Sequence, residues 1–69
     1  MSKVKENARK ILAAEVSLRT GIPLEAADDL LDHIQGLLYD HRGGIGTYPS
    51  EQAILTEFGI SPTNLWVFD

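Results

Sequence analysis

The feature of this sequence that most restricts its fold is the spacing of apolar residues between positions 24 and 38. Wound as an α-helix, at about 100° per residue, these residues fall in one arc of about 160°, and the opposite arc is acidic. The apolar arc contains Leu24, Ala26, Ala27, Leu30, Leu31, Ile34, Leu37 and Leu38, and the acidic arc contains Glu25, Asp28, Asp29, Asp32 and Asp40. This separation predicts a helix that buries one face.

Glycine, proline and serine residues indicate where the other helices begin and end. Ser2 and Ser50 can each accept a hydrogen bond from the first turn of a helix, and Gly21 can adopt the left-handed conformation that ends one. The predicted elements are helices over 2–20, 23–41 and 50–58, a flexible Gly-rich loop over 42–49 and a short helix or turn over 61–68, with 66–68 extended as the alternative. The sequence therefore predicts an all-α fold, in which two longer amphipathic helices form a hairpin followed by two short helices, as one small domain over 1–69.

The length of 69 residues and the absence of cysteine limit how such a domain can be stabilised. A chain of this size buries only about 60% of the surface that its unfolded form exposes, so disulfides, metals or a second subunit often contribute. Without cysteine there is no disulfide and no thiolate zinc site. No stretch approaches the roughly 18 apolar residues of a membrane span, and no signal sequence is evident. We therefore expect a cytoplasmic protein without membrane association.

The residues that could support chemistry are few and scattered. The glycines at 43, 44 and 46 lack the preceding strand and the lysine of a phosphate-binding loop. His33 and His41 are about 80° apart on a helical wheel and more than two turns apart along it, so they do not converge on a metal ion. No nucleophile, base and orienting group share a suitable spacing. We expect no enzymatic activity, no cofactor and no metal.

Charge is distributed unevenly along the chain. The formal net charge is −4, but five of the six lysine and arginine residues lie within residues 1–20. The first helix is therefore basic, and the rest of the chain carries the acidic excess. A hairpin of the first two helices would pair these basic and acidic surfaces, within one chain or between two. Solvent-exposed ion pairs of this kind select the orientation of the helices more than they add stability.

The first predicted helix has an unusually wide apolar arc, of about 200°. It contains Val4, Ala8, Ile11, Leu12, Ala14, Val16 and Leu18, with Glu15 and Arg19 near its middle. One interpretation is that the stems of Glu15 and Arg19 cover the core edge while their charges reach water. The other is that Val4, Ile11 and Leu18 face the chain's own core. In that case Leu12, Val16 and Ala8 face a second copy, with Glu15 and Arg19 between the two faces. This second interpretation predicts a homodimer.

Two further groups of residues are candidates for binding a protein partner. Tyr39 falls inside the acidic arc near Asp28 and Asp32, where no core requires an aromatic ring, and such a surface would suit a basic partner. The C-terminal candidates are Leu65, Trp66 and Phe68. The alternatives are that the acidic face is only solvated and that the C-terminal group closes the core.

Residues 51–68 resemble the helix-turn-helix pattern of DNA-binding proteins. Ile54, Phe58, Gly59, Ile60 and Leu65 occupy the apolar and turn positions of that motif, and Ser61 to Asn64 would open its recognition helix. The resemblance implies a DNA-binding transcriptional regulator. Because that second helix has no lysine or arginine, we place this function second. Our first hypothesis is a self-associating, non-enzymatic interaction module or small regulatory protein.

Overall fold

The computed structural model describes residues 3–69, and all regular secondary structure in that range is helical. The elements are α1 (Lys3–Thr20), α2 (Leu24–Arg42), α3 (Glu51–Glu57) and a C-terminal 3-10 helix (Pro62–Phe68). The predicted all-α class is confirmed, with two longer helices in a hairpin-like arrangement followed by short ones. Each helix boundary lies within one residue of its predicted position. Ser2, the predicted cap of α1, lies outside the described residues.

The residues group into two compact units, Met1–Asp32 and His33–Asp69, and the division falls within α2. Each unit has its own set of buried apolar side chains. In the first unit these are Leu12, Ala13, Val16, Ala27 and Leu31, and in the second they are Ile34, Leu38, Ile54, Leu55, Ile60, Val67 and Phe68. The four from α2 follow the predicted three- and four-residue spacing, which confirms the apolar face of that helix.

The first unit is a hairpin whose corner is held by short polar side chains. Gly21 has a φ of 79°, the left-handed conformation that ends α1, and its N–H donates to the carbonyl of Ser17 at 2.9 Å. The hydroxyl of Ser17 donates to the carbonyl of Ile22 at 2.6 Å. Farther from the corner, an ion pair joins Arg9 of α1 to Asp32 of α2. The predicted pairing of the basic first helix with the acidic second helix therefore occurs within one chain.

In the second unit, α3 is capped at both ends by the residues that the sequence indicated. The hydroxyl of Ser50 accepts a hydrogen bond from the N–H of Ala53 at 3.1 Å. At the other end, the N–H of Ile60 donates to the carbonyl of Leu55 at 3.0 Å, and Gly59 has a φ of 73°. This is a Schellman motif, in which the chain turns back and places Ile60 beside the last turn of the helix.

The C-terminal segment is a 3-10 helix, so the alternative of an extended 66–68 is wrong. Ser61 and Pro62 start it as expected, with the Ser61 hydroxyl accepting from the N–H of Thr63 at 3.4 Å. The carbonyl of Phe68 accepts a hydrogen bond from the side-chain amide of Gln35 at 2.7 Å. This bond ties the end of the chain to the second half of α2.

Candidate interaction surfaces

Helix α1 buries the edge that the dimer hypothesis assigned to a second chain. Leu12 is 4% exposed and Val16 is 1% exposed, whereas Val4, Ile11 and Leu18 are 74%, 60% and 86% exposed. The orientation that the dimer interpretation gave to α1 is therefore wrong, because the two edges are exchanged. Leu12 and Val16 belong to the core of the first unit and are removed from the self-association surface.

The position of Arg9 explains this orientation physically. Arg9, Ala13 and Val16 are spaced four and three residues apart, so they lie on one side of α1. When that side faces inward, Arg9 can reach Asp32, and the small side chain of Ala13, 1% exposed, permits close helix approach. Turning Ile11 and Leu18 inward would carry Arg9 away from its acidic partner. The sequence prediction had omitted Ala13 from the apolar arc.

The outward face of α1 carries an apolar line with a period of seven residues. We define the α1 stripe as Val4, Asn7, Ile11, Ala14 and Leu18, all of which are exposed. Residues seven apart drift by only about 20° around a helix, so the three large side chains form one ridge. The stripe lies roughly opposite the buried edge of α1. Its seven-residue spacing was visible in the sequence, but its exposure was not.

Glu15 and Arg19, the other predicted self-association residues, are exposed beside the α1 stripe. Among residues 3–69, Glu15 and Arg19 do not form an ion pair within 4.0 Å. The ion pairs in this range join Arg9 to Asp32 and Arg42 to two carboxylates. Both charges reach solvent, as the first interpretation of the wide arc expected.

The acidic candidates are placed differently from one another. Asp28 and Asp32 lie in the first unit and are exposed, but the carboxylate of Asp32 pairs with Arg9 inside the hairpin. Asp32 therefore serves the fold of the first unit. Tyr39 lies in the second unit and its side chain is exposed.

Gly36 is also exposed on α2, and no atom lies near the position that a Cβ would occupy there.

The C-terminal candidates divide into buried and exposed residues. Phe68 is 2% exposed and Val67 is also buried, so Phe68 is wrong as a binding residue and belongs to the core of the second unit. Burial of the apolar ring favours this position, and the hydrogen bond from Gln35 to the carbonyl of Phe68 holds the end of the 3-10 helix beside α2. Leu65 is half-buried, and Trp66 remains 46% exposed. Trp66 is thus the member of this group that is available to a partner.

Sequence reasoning missed the role of Arg42, which connects three parts of the second unit. Its Nε donates to Glu51 Oε2 at 2.5 Å, and its Nη2 donates to Asp69 Oδ1 at 2.6 Å. The hydrogen bonds that Arg42 donates to Glu51 and, second, to Asp69 raise the pKa of its guanidinium above the ordinary value. A signal was present in the sequence, since Arg42 is the one lysine or arginine after residue 20.

The segment that resembles a helix-turn-helix has a different second element from the motif. Residues 62–68 form a 3-10 helix, which is narrower than the α-helix that reads a DNA groove, and they include no basic side chain. Within the described part of the chain, no three acidic or histidine side chains cluster as metal ligands would. No helix in that part combines the length and apolar character needed to cross a membrane.

Comparison of the chain with protein families, with curated proteins and with solved structures gives no match.

Proposed function

We propose that this chain is a non-enzymatic protein–protein interaction module that self-associates, and that it acts as a small regulatory or inhibitory protein. The observation that carries the proposal is the α1 stripe. Three large aliphatic side chains, each more than half exposed, are aligned on one face of α1. Aligned exposed apolar side chains of this kind are typical of interaction sites, whereas isolated ones are ordinary.

Self-association is tested by measuring mass in solution. We expect light scattering or sedimentation to give a monomer–dimer equilibrium that moves towards dimer between low micromolar and millimolar protein. Ile11→Asp should make the protein monomeric without lowering its helix content, because Ile11 is 60% exposed. Thr56→Asp, at an exposed position of α3, is the control and should dimerise like the wild type. A wild type that stays monomeric throughout would refute self-association.

The proposed partner is a basic protein, bound through acidic side chains of α2. The support is the exposure of Asp28 and Tyr39 together with the acidic excess after residue 20. Opposite charge accelerates and selects such an encounter more than it strengthens the final complex. Asp32 is a poor site for a test because its replacement would also break the ion pair with Arg9.

The partner proposal is tested by affinity capture from an extract of the source organism, with the bound proteins sorted by isoelectric point. We expect the wild type to enrich basic proteins, and the Asp28→Lys, Tyr39→Ala double variant to lose them while its thermal melt is unchanged. Glu57→Lys, an exposed acidic position of α3, is the charge-matched control. If the double variant and the wild type capture the same proteins, the acidic face is not the binding surface.

A further inference from the structure

We infer that the partner of the α1 stripe is a second copy of α1, docked parallel and in register as a short two-stranded coiled coil. This inference rests on the proposed self-association and adds its geometry. The α1 stripe has the spacing of a coiled-coil seam. In such a seam, successive core residues are separated alternately by three and by four positions, so that the pattern repeats every seven residues. Val4, Ile11 and Leu18 occupy one seam position, and Asn7 and Ala14 occupy the other.

The type of side chain in the seam favours two strands. Parallel dimers typically combine β-branched residues at the first seam position with leucine at the second. Val4 and Ile11 meet the first condition, whereas the second position is occupied by the smaller Asn7 and Ala14. Asn7 would face its own copy in the layer between Val4 and Ile11. Paired asparagines can hydrogen-bond to each other, whereas a shifted register would place each one against an apolar side chain. The single asparagine therefore favours the in-register arrangement.

Charge complementarity favours the parallel orientation. Lys10 flanks one side of the α1 stripe, Glu15 flanks the other, and both are exposed. In a parallel coiled coil, a residue on the first flank faces the residue five positions later on the partner, so Lys10 of each chain would meet Glu15 of the other. In an antiparallel pair, like flanks meet and Lys3 and Lys10 would lie near each other across the interface. Parallel docking thus makes two attractive pairs.

The hairpin prepares α1 for this contact. Most of the stability of a helix in a protein comes from packing of one face, and α1 is already held through its opposite side by Leu12, Ala13 and Val16. Docking therefore does not have to order the helix, which removes a large cost of association. Because the helix is only about 27 Å long, we expect a weak dimer, with a dissociation constant in the micromolar range or above.

Orientation is tested with single cysteines, since the natural chain has none. The Asn7→Cys and Ala14→Cys variants are oxidised in a glutathione buffer. Each variant is oxidised alone and also mixed with the other, with tags of different mass on the two chains so that the disulfide-linked products can be distinguished. Parallel docking predicts that each variant forms a disulfide with its own copy. Antiparallel docking excludes this result, because the two positions are about 10 Å apart along α1 and a two-fold antiparallel pair can bring at most one of them against its own copy. Glu6→Cys, exposed on the same helix but outside the α1 stripe, is the control and should crosslink only slowly.

The charge argument has its own test. Lys10→Glu or Glu15→Lys alone puts like charges together across a parallel dimer and should raise its dissociation constant by about tenfold. The double variant Lys10→Glu, Glu15→Lys should restore wild-type affinity. In an antiparallel dimer, Lys10→Glu would instead place a negative charge near Lys3 of the other copy and should lower the dissociation constant.

The outcomes separate this inference from the proposal beneath it. Self-crosslinking at both positions, with restoration by the charge swap, supports the parallel dimer. A dimer that forms its own disulfide at only one of positions 7 and 14, or that crosslinks at both no faster than at position 6, overturns the parallel α1 interface but leaves self-association intact. A protein that remains monomeric at every concentration overturns both.

Discussion

Replacing Leu12 and Ile11 by alanine, one at a time, measures which edge of α1 supports the fold. The two residues are adjacent in the sequence, similar in size and both apolar, so intrinsic properties distinguish them little. The structure distinguishes them strongly, because Leu12 is 4% exposed and Ile11 is 60% exposed. The orientation assumed by the dimer interpretation of the sequence, with the two edges exchanged, would reverse the expected order of their effects.

The expected magnitudes follow from burial. Leu12→Ala removes a buried side chain and leaves a cavity, which typically costs about 2–5 kcal/mol. Complete burial of a side chain such as Ile contributes about 1.5–3 kcal/mol, and only about two fifths of Ile11 is covered. Alanine also has the higher helix propensity by a few tenths of a kcal/mol, which leaves a net cost of about 0.5 kcal/mol for Ile11→Ala. Since a chain of this length has a total stability of roughly 3–10 kcal/mol, Leu12→Ala should populate the unfolded state measurably.

The assay is urea or thermal unfolding followed by circular dichroism at several protein concentrations. Extrapolation to low concentration isolates the stability of the monomer, because dimerisation adds stability that depends on concentration. We expect Leu12→Ala to lower the unfolding midpoint strongly at every protein concentration. Ile11→Ala should lose mainly the part of the stability that increases with protein concentration. An Ile11→Ala loss equal to or larger than that of Leu12→Ala in the dilute limit would refute the assigned orientation of α1.

Three further predictions concern stability. Gly36→Ala should stabilise the protein by about 0.5–1 kcal/mol, because the position is helical, exposed and open to a Cβ, and denaturant melts will measure the gain. Ser50→Ala removes the acceptor for the N–H of Ala53 and should cost about 1 kcal/mol in the same melts, whereas Ser50→Asp should keep the cap. Arg42→Gln should lower the melting temperature in dilute buffer, and the difference from wild type should shrink in molar salt, because the bonds to Glu51 and Asp69 are exposed ion pairs. An equal difference at both salt concentrations would assign Arg42 a packing role instead.

Much of the helical framework could be predicted because its signals are local. The apolar period of α2, the glycine at 21 and the cap at Ser50 each act within a few residues of their position, and all are present as expected. The bonds made by Arg42 and Gln35 could not be predicted in the same way. They join residues 9, 27 and 33 positions apart, and such contacts depend on how the segments pack.

The candidate surfaces were predicted less well, for a related reason. Apolar side chains near a chain end can close a core or bind a partner, and composition does not distinguish these outcomes. In the C-terminal group, residues two positions apart have opposite environments, since Trp66 is about half exposed and Phe68 is buried. A 3-10 helix repeats every three residues, so its inward positions differ from those of an α-helix or a strand.

The sequence by itself determined where the helices lie, how they are capped, and that α2 has one apolar and one acidic face. Periodicity is sufficient for these features because it fixes which side chains share a face of a helix. Tertiary structure alone decided which of the two apolar faces of α1 is buried. That choice depends on small Ala13 at the buried face and on Arg9 reaching Asp32, and neither is a property of α1 alone. As a result, Val4, Ile11 and Leu18 face outward.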